Sequence, residues 1–476
     1  MIEIQNPQDR SVVDRVYKEG QGHVFRWWDE LNASSRKKLI DQLKAVDFKL
    51  LQELRAKCVG PSVIDEFRGA LEPVEFVPIP RTEKERKRAE SARRLGEKMI
   101  REGKIAAFLV AGGQGTRLGF NGPKGMFPIG PVTQKSLFQM HAEKILAASR
   151  FYDVTIPWYI MTSETNDVKT RTFFQQHDFF GLKEKDVFFF TQRMIPALDE
   201  EGKFILDEKD HVFTSPNGHG GSLLALVESG AVDDMRRRGV EVFSYFQVDN
   251  VLIKIVDPVF IGYHQQACAE MSSKMLRKRD FAEKLGVFGR VNGKLKVVEY
   301  SDLSDEDMTA TNPDGSLKYE AGSIAIHLLN IRFVEQEVCE GFKLPYHVAH
   351  KKIPYLNEGG EQVMPEQPNG YKFETFVFDA LENTTHSVVM EIDRREEFSP
   401  VKNGEGEDSP ETAVRDLTNF FGRWLEAAGA TAPKKSNGDV DGFVEISPLY
   451  AMNLDMFIKR APKDLSFETA LYVGPK

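Results

Sequence analysis

The sequence contains little cysteine. Cys58, Cys268 and Cys339 are the three cysteines among 476 residues, and they lie far apart along the chain. That number and spacing exclude a disulfide framework and a cysteine-rich zinc site. Sparse, dispersed cysteines are typical of proteins in reducing compartments, so we expect a cytoplasmic protein.

Long apolar runs are also missing. The longest, around residues 105–113, is much shorter than the roughly 20 residues that a membrane-spanning helix needs. Residues 1–7 show no basic segment followed by an apolar stretch, so we expect no secretory signal. A membrane is therefore not an expected partner.

The chain has no excess of positive charge. Its 63 lysine and arginine residues stand against 72 aspartate and glutamate residues, which gives a net charge of −9. General nucleic-acid binders carry a basic surface, so nucleic acid is not an expected partner. We interpret the local basic surplus in residues 81–104 as a solvated helix face. A local cationic site for a phosphorylated small molecule is still compatible with this balance.

A glycine-rich segment follows an apolar stretch that we predict to be a buried strand, residues 105–110. Residues 112–119 read G-G-x-G-T-R-L-G, and residues 123–125 read P-K-G. Glycines let the backbone approach a nucleotide closely, and the N–H groups of such a loop can bind phosphate oxygens. Arg117 and Lys124 add two cations. The segment therefore predicts a nucleoside triphosphate site.

Two better-known phosphate motifs are absent from this segment. Leu118 stands where the dinucleotide fingerprint G-x-G-x-x-G needs its third glycine, which disfavours an NAD-dependent oxidoreductase. The P-loop needs Ser or Thr after Gly-Lys, but Pro123 precedes Lys124 and Gly125 follows it.

The rest of the chain predicts an α/β protein. Residues 8–70 have the spacing of amphipathic helices, and residues 72–80 are predicted to be a proline-containing connector. Predicted strands at 105–110, 158–161 and 187–190 alternate with helices, one of them at 136–149, and we expect Ser163 to cap the next. Residues 287–300 predict a hairpin that turns at Asn292-Gly293. We expect residues 403–408 to form a surface stretch and the tail to form a small separate unit.

The glycine segment resembles the signature of the sugar nucleotidyltransferases, specifically the eukaryotic type of UDP-N-acetylglucosamine pyrophosphorylase. The similarity spans about residues 100–450 in the order of that family. Further matching segments are residues 156–163, 248–250, 298–301, 351–355, 368–370, 376–379, 398–403 and 445–449.

The resemblance implies a Rossmann-like, mixed, mostly parallel sheet flanked by helices. It also implies a helical region at 1–100, a catalytic nucleotidyltransferase domain at 101–400 and a small C-terminal α+β domain at 401–476. The implied reaction is attack of a sugar 1-phosphate on the α-phosphorus of UTP, which gives a UDP-sugar and pyrophosphate. Such transfer needs positioning and charge neutralisation more than covalent catalysis.

Four residues are candidates for the chemistry. Arg117 and Lys124 would neutralise the triphosphate and the leaving pyrophosphate. The resemblance assigns Lys402, in the F-S-P-x-K-N segment, to a reacting phosphate. Asp249 follows a strand-like run, where a carboxylate beside a phosphate site is a natural Mg²⁺ ligand, with Mn²⁺ as a substitute; its alternative role is to cap a turn.

The resemblance also implies the substrate contacts. The nucleotide would lie against Ala111, Gly112, Gly113, Gly115, Gln192, Gly218, His219 and Asp249. The sugar would lie against Gly220, Gly286, Glu299, Tyr300, Ser323, Phe376 and Phe378. The alternation of Phe376 and Phe378 predicts that they share one strand face, either as core or as a wall for an N-acetyl methyl group.

Two departures from the family pattern bear on the sugar. His219 and Ser323 stand where the acetylglucosamine enzymes carry asparagine, and G-H-G is reminiscent of UDP-glucose and UDP-sugar pyrophosphorylases. An acetylated hexosamine is the first prediction, and glucose or a broad range of sugars is the second. A nucleotide-sugar sensor without turnover is the non-enzyme alternative, which the presence of all four candidate residues disfavours. His347 and His350 lack the spacing and the partners of a zinc site.

Overall fold

The computed structural model describes residues 2, 4, 6–59, 70–339, 341–462, 465–466 and 468–475. The helices are α1 (Pro7–Lys18), α2 (Ala33–Lys44), α3 (Phe48–Val59), α4 (Glu83–Arg101), α5 (Leu137–Tyr152), α6 (Asp167–Gln176), α7 (Gly221–Glu228), α8 (Ala231–Arg237), α9 (Pro258–Gln266), α10 (Asp305–Thr309), α11 (Ile331–Val338), α12 (Arg394–Glu397), α13 (Pro410–Ala427) and α14 (Leu454–Arg460). The strands are β1 (Leu71–Pro73), β2 (Ile105–Val110), β3 (Trp158–Thr162), β4 (Val187–Thr191), β5 (Met194–Pro196), β6 (Leu198–Asp199), β7 (Leu206–Glu208), β8 (His211–Val212), β9 (Thr214–Pro216), β10 (Val242–Gln247), β11 (Met271–Arg277), β12 (Val287–Val291), β13 (Lys294–Val298), β14 (Ala321–Asn330), β15 (His347–Lys351), β16 (Tyr355–Leu356), β17 (Gln362–Val363), β18 (Gly370–Glu374), β19 (Val389–Glu391), β20 (Phe443–Ile446) and β21 (Ala470–Val473).

The chain divides into two compact units. The first unit contains residues 1–68, 192–221 and 344–377, and the second contains residues 69–191, 222–343 and 378–476. Each unit is therefore built from three separate stretches of chain. This division differs from the consecutive domains 1–100, 101–400 and 401–476 expected from the sequence, which stay a prediction.

The first unit is formed by helices packed on short strands. Apolar side chains of α1, α2 and α3 share one core with residues of β6, β7 and β18, among them Val16, Leu39, Leu54, Leu206 and Phe373. Asn6 and Asn32 begin α1 and α2, because their side-chain oxygens accept backbone N–H groups of the first turn. The helices predicted for residues 8–70 are confirmed up to residue 59, and residues 60–69 lie outside the described residues.

The second unit contains a large mixed sheet. The strand order is β1-β12-β14-β10-β2-β3-β4, with β13 beside β12, β11 beside β14 and β19 beside β11. The pairs β10–β2, β2–β3 and β3–β4 are parallel, whereas β14 runs antiparallel to β10 and to β11. The α/β fold class and the mostly parallel order around β2 are thereby confirmed.

Helices cover this sheet with closely packed backbones. α4 begins with a capping box between Thr82 and Glu85, and it packs against α9. A Cβ atom at Gly96 would lie 1.9 Å from the carbonyl oxygen of Pro258, and one at Gly262 would lie 1.8 Å from that of Ala92. Glycine at these two positions therefore permits the close approach of the two helices.

Local sequence signals explain several elements of the second unit. Ser136 caps α5, since its hydroxyl accepts the N–H of Gln139 at 3.2 Å. Asn292 and Gly293 have φ values of 52° and 78° in the turn between β12 and β13, as a two-residue hairpin requires. The predicted helix at 136–149 and the predicted hairpin are confirmed, although β13 ends at Val298 rather than at residue 300.

The connector predicted for residues 72–80 is partly a strand. Leu71, Glu72 and Pro73 form β1, which pairs antiparallel with β12. Proline is tolerated there because β1 lies at the end of the strand order, where one side of its backbone needs no ladder partner.

The C-terminal segment does not form a separate core. β20 and β21 pair in parallel, yet Trp424, Val444 and Ile446 belong to the same hydrophobic core as Leu109 and Ile160 of the main sheet. The apolar side chains of the tail therefore pack into the core of the second unit, and a small C-terminal domain at 401–476 stays a prediction.

Cys58, Cys268 and Cys339 are free thiols. Within the described residues, no helix is both long enough and apolar enough to span a lipid bilayer.

Candidate active site

The candidate site of the second unit lies where three neighbouring parallel strands end. The glycine segment follows β2, residues 163–166 follow β3, and Asp249 follows β10 after Val248. The strands β10, β2 and β3 are adjacent, so these three segments meet at one edge of the sheet. Open α/β sheets bind ligands at this carboxyl edge.

The glycine segment folds back on itself. The N–H of Gly115 donates to the carbonyl of Gly122 at 2.8 Å, and the N–H of Lys124 donates to the carbonyl of Gly113 at 3.1 Å. These bonds bring the P-K-G sequence beside the G-G-x-G sequence. A Cβ atom built at Gly113 would meet no atom within 4 Å. The exposed backbone at Gly113 is therefore open to a ligand.

Two buried polar residues after β3 hold this loop. The Ser163 hydroxyl donates to the carbonyl of Gly112 at 2.9 Å. The Asn166 amide donates to the carbonyls of Ala111 at 2.9 Å and Gly113 at 3.3 Å. The expectation that Ser163 caps the next helix is wrong, since α6 begins after Asn166 and the Ser163 hydroxyl is committed to the loop.

Lys124 and Asp249 lie together in the site. The Lys124 Nζ atom lies 3.8 Å from the Asp249 Oδ2 atom, and Asp249 is only 8 % exposed. In the described residues, no group of three or more His, Cys, Asp and Glu side chains is arranged to hold a metal ion. A single carboxylate fits Mg²⁺ here, because this ion binds through one or two carboxylates together with substrate phosphates and waters.

The segment that precedes Lys402 is bonded to the Asp249 turn. The N–H of Val401 donates to the carbonyl of Asp249 at 3.0 Å, and the N–H of Ser399 donates to the Asn250 side chain at 3.0 Å. Lys402 is the next residue, and its Nζ atom lies 3.6 Å from Asp408. The structure therefore brings the Lys402 backbone beside Asp249, while its side chain turns toward Asp408.

Arg117 lies in a short 3₁₀ turn of the glycine segment, Thr116–Leu118. Its side chain is exposed and forms no salt bridge within the described residues. Gly404 lies against the Arg117 backbone, because a Cβ atom there would be 3.0 Å from the Arg117 carbonyl oxygen. The turn after Lys402 and the glycine segment are thus in contact.

Three candidate sugar residues lie together in the second unit. The N–H of Ser323 donates to the carbonyl of Gly286 at 2.8 Å. A Cβ atom at Gly286 would lie 3.3 Å from the Glu299 Oε1 atom. Since β14 runs antiparallel to β10, its N-terminal half with Ser323 points toward the carboxyl edge that carries Asp249. Tyr300 is exposed, and Phe378 is buried.

The remaining candidates lie in the first unit. The loop with Gly218, His219 and Gly220 is bonded to the chain after β18, because the N–H of Gly220 donates to the Thr375 carbonyl at 2.8 Å. The His219 ring lies 5.3 Å from the Phe376 ring, centroid to centroid. Gln192 is buried after the end of β4.

His219 has a defined tautomer. The backbone N–H of Val377 donates to its Nδ1 atom at 3.2 Å, so the ring proton lies on Nε2. Burial, with a smaller contribution from nearby His347, lowers the pKa of His219 to about 4. The imidazole is therefore neutral near pH 7 and presents Nε2–H as a donor, whereas asparagine would present a donor and an acceptor.

Phe376 and Phe378 do not share a strand face. β18 ends at Glu374, and Val377–Asn383 forms a 3₁₀ helix. The prediction of a shared face is wrong, because backbone bonds between Thr375 and the 217–220 loop end the strand before Phe376. Phe376 is half-buried against two histidine rings, those of His219 and His347.

His347 and His350 lie on strand β15. Residues three apart on a strand point to opposite faces, so the two rings do not converge. His347 contacts Phe376, whereas His350 stacks on Tyr371 and lies 3.2 Å from Glu200.

Sequence reasoning missed four polar residues that support the site: Asn166, His141, Lys144 and Asn250. His141 and Lys144 bind backbone carbonyls of the turn that carries Asp249. Asn166 binds the glycine segment, and Asn250 binds the carbonyl of Glu397. Its position within the matching segment 248–250 is the available signal for Asn250, and no sequence pattern marks the others.

The comparisons with known proteins identify the class. Residues 72–407 match the family described as UTP–glucose-1-phosphate uridylyltransferase, and the chain belongs to this family. A UDP-N-acetylhexosamine pyrophosphorylase-like protein 1 from Xenopus tropicalis is 38 % identical over 95 % of this chain and 94 % of its own length.

Two further relatives are named as UDP-N-acetylglucosamine pyrophosphorylases. The UDP-N-acetylglucosamine pyrophosphorylase of Saccharomyces cerevisiae is 38 % identical, over 86 % of this chain and 90 % of its own. The crystal structure of the uridine diphosphate N-acetylglucosamine pyrophosphorylase from Trypanosoma brucei is similar with a TM-score of 0.82 at 28 % identity, covering 99 % of each chain. The predicted family resemblance and enzyme class are thereby confirmed, whereas the roles of individual site residues stay predictions.

Proposed function

We propose that this protein transfers the uridylyl group of UTP to N-acetylglucosamine 1-phosphate. A phosphate oxygen of the sugar attacks the α-phosphorus, the bond from that phosphorus to the bridging oxygen breaks, and pyrophosphate leaves. The products are UDP-N-acetylglucosamine and pyrophosphate. Two relatives named as UDP-N-acetylglucosamine pyrophosphorylases match 86 % and 99 % of this chain. One observation on this chain supports the proposal most directly. The glycine segment, Lys124 and Asp249 lie together at the carboxyl edge of the sheet.

We assign the triphosphate to the glycine segment. Backbone N–H groups around Gly113 would bind phosphate oxygens, and the exposed Arg117 would neutralise the leaving pyrophosphate. Lys124 would exchange its contact with Asp249 for a phosphate oxygen, since the two charged atoms lie 3.8 Å apart, beyond hydrogen-bond distance. Lys402 would leave Asp408 and bind the α-phosphate or the attacking phosphate.

Asp249 is the residue that would hold Mg²⁺, or Mn²⁺ in its place. The ion supplies charge neutralisation to the phosphates when it is bound. The carboxylate of Asp249 is buried at the end of β10, and the backbone carbonyl of Asp249 is held by the N–H of Val401 at 3.0 Å.

We assign the sugar to Gly286, Glu299 and Ser323. Glu299, which is partly buried, would accept hydrogen bonds from sugar hydroxyls. The names of the relatives favour the acetylated sugar over glucose. The contacts of Gln192, Gly218, His219, Gly220, Tyr300, Phe376 and Phe378 with substrate stay predictions.

The location of the protein is also a proposal. A cytoplasmic site of action is supported by three free thiols dispersed along the chain. Fluorescence of a tagged full chain in fractionated cells would test it, and recovery in an oxidising compartment would contradict it.

Pyrophosphate release from UTP and Mg²⁺ tests the proposed reaction. The panel contains the 1-phosphates of N-acetylglucosamine, N-acetylgalactosamine, glucose and galactose. We expect the highest kcat/KM with N-acetylglucosamine 1-phosphate, and we expect Asp249→Asn to lose this release, which controls for contaminating enzymes. A preference for glucose 1-phosphate would contradict the sugar assignment. No release from a folded protein that binds UTP would favour the sensor.

A further inference from the structure

Two side chains of α5 contact the turn that carries Asp249. His141 and Lys144 are three residues apart, so they lie on one face of the helix. The His141 Nε2 atom lies 3.0 Å from the carbonyl oxygen of Val248. The Lys144 Nζ atom lies 2.5 Å from the carbonyl oxygen of Val251 and 3.0 Å from that of Ile253. The helix therefore holds the turn on both sides of Asp249.

His141 acts here as a hydrogen-bond donor. A carbonyl oxygen can only accept, so the ring proton lies on Nε2. The ring is 0 % exposed and packs edge-on against Phe246 of β10 at 5.4 Å between centroids. Burial lowers the pKa of His141 to about 3, so the imidazole is neutral near pH 7.

Lys144 is bound by carbonyl oxygens rather than by a carboxylate. It forms no salt bridge among the described residues, and burial lowers its pKa to about 7. Its amino group keeps N–H donors in both protonation states.

The same turn is bonded from its other side by the segment that leads to Lys402. The Asn250 amide donates to the Glu397 carbonyl at 2.8 Å, and the N–H of Val401 donates to the Asp249 carbonyl at 3.0 Å. Residues 248–253 are therefore held between α5 and residues 397–401. A shift of the turn would move both the Asp249 carboxylate and the backbone of Lys402.

We propose that Lys144 and His141 are positioning residues for the reaction, because they fix the turn that aims Asp249 at the metal-bound triphosphate. Neither side chain contacts the glycine segment in any bond of the described residues, so they act through the backbone. This inference rests on the proposed function for the role of Asp249. Residues outside the direct ligands of a metal that fix those ligands typically change metal affinity by about 10- to 100-fold.

Variants of Lys144 that remove or keep its N–H donors distinguish a positioning role from a packing role. Lys144→Met removes the N–H donors, whereas Lys144→Arg keeps them. Lys144 lines a cavity of about 590 Å³, so both side chains have room. Lys203→Met is the control, because Lys203 also donates to a backbone carbonyl, that of Gly20 at 2.6 Å, but within the first unit.

Mn²⁺ affinity is the readout that does not depend on turnover. Electron paramagnetic resonance measures free Mn²⁺ in a titration of the full chain with saturating UTP. We expect Lys144→Met to raise the Kd for Mn²⁺ by about tenfold and Lys144→Arg to restore it to within about twofold. The KM for Mg²⁺ should rise in parallel, with a smaller change in the KM for the sugar phosphate.

An unchanged Mn²⁺ affinity in folded Lys144→Met overturns the proposal, and so does an equal loss in Lys203→Met or a failure of Lys144→Arg to restore binding. If Lys144→Met does not fold, the Kd for Mn²⁺ is compared between His141→Phe and His141→Gln. Phenylalanine keeps the ring but loses the donor to Val248, whereas glutamine keeps a donor. Absence of turnover in the wild-type protein would contradict the proposed function, while the Mn²⁺ comparison would still test the positioning.

Discussion

Lys402 illustrates, at the scale of single residues, a side chain whose proposed role requires it to leave its present partner. Its neighbour Val401 is bonded to the Asp249 carbonyl, but its own Nζ atom lies near Asp408 and over the Phe398 ring. The side chain is 41 % exposed, so it can exchange Asp408 for a phosphate at small cost. Its role in the reaction depends on that exchange.

The variant Lys402→Ala tests this role. We expect kcat to fall by about 100- to 1000-fold, as when a donor to the transition state is removed. Pyrophosphate release measures the loss, and circular dichroism checks the fold. Lys434→Ala is the matched control, since Lys434 is 38 % exposed and pairs with Glu426 in a similar way. Activity within about threefold of wild type would remove Lys402 from the mechanism.

At the scale of elements, the loop after β2 depends on the segment after β3. Asn166 is fully buried, and its amide binds two carbonyls of the glycine segment while its oxygen accepts the N–H of Ser163 at 2.9 Å. The loop is therefore fixed before a nucleotide arrives. Such prior order lowers the entropy cost of binding.

Asn166→Ala should weaken UTP binding. The variant removes the side-chain donor to the buried Ala111 carbonyl at a cost of about 1–3 kcal/mol, and the loosened loop must be ordered again by the ligand. We expect the Kd for UTP, measured by calorimetry, to rise by about tenfold. Asn330→Ala is the control, because Asn330 also donates to a backbone carbonyl, that of Ala269, elsewhere in the sheet. Equal UTP affinities in the two variants would contradict this account.

The elements that the sequence predicted are those with local signals. β2 is a run of apolar residues before glycine, α5 begins at a capping serine, and the 292–293 turn has the residues of its type. The strand β1 and the end of β18 depend on partners far along the chain, Val291 for Leu71 and Asn217 for Thr375. Periodicity contains no information about such partners.

The same distinction applies to the site. The glycine segment and Asp249 could be predicted because a motif or a strand end marks them locally. His141 and Lys144 could not, because their partners Val248 and Val251 lie 107 residues away in sequence. Buried lysine and histidine residues on a helix have no pattern that distinguishes a backbone contact from ordinary packing.

At the scale of the whole molecule, buried histidines make stability depend on pH. His141 and His264 are almost fully buried in the second unit, and burial lowers their pKa values to about 3 and about 4. The unfolded chain binds their protons near pH 6.5, the ordinary value, whereas the folded chain does not. Their contribution to stability is therefore complete above pH 6.5 and is lost as the pH falls toward the folded pKa.

The urea concentration at the unfolding midpoint should therefore decrease between pH 7 and pH 5. From a folded pKa of about 4, His264 alone accounts for about 2 kcal/mol of this loss. In His264→Gln the decrease should be smaller by that amount, even though the variant loses the contact with Ser272 and is less stable at pH 7. Tryptophan fluorescence follows the transition, and His386→Gln, at an exposed position, should keep the wild-type dependence. An identical pH dependence in wild type and His264→Gln would mean that His264 is protonated in the folded protein, in contradiction to its burial beside Ser272.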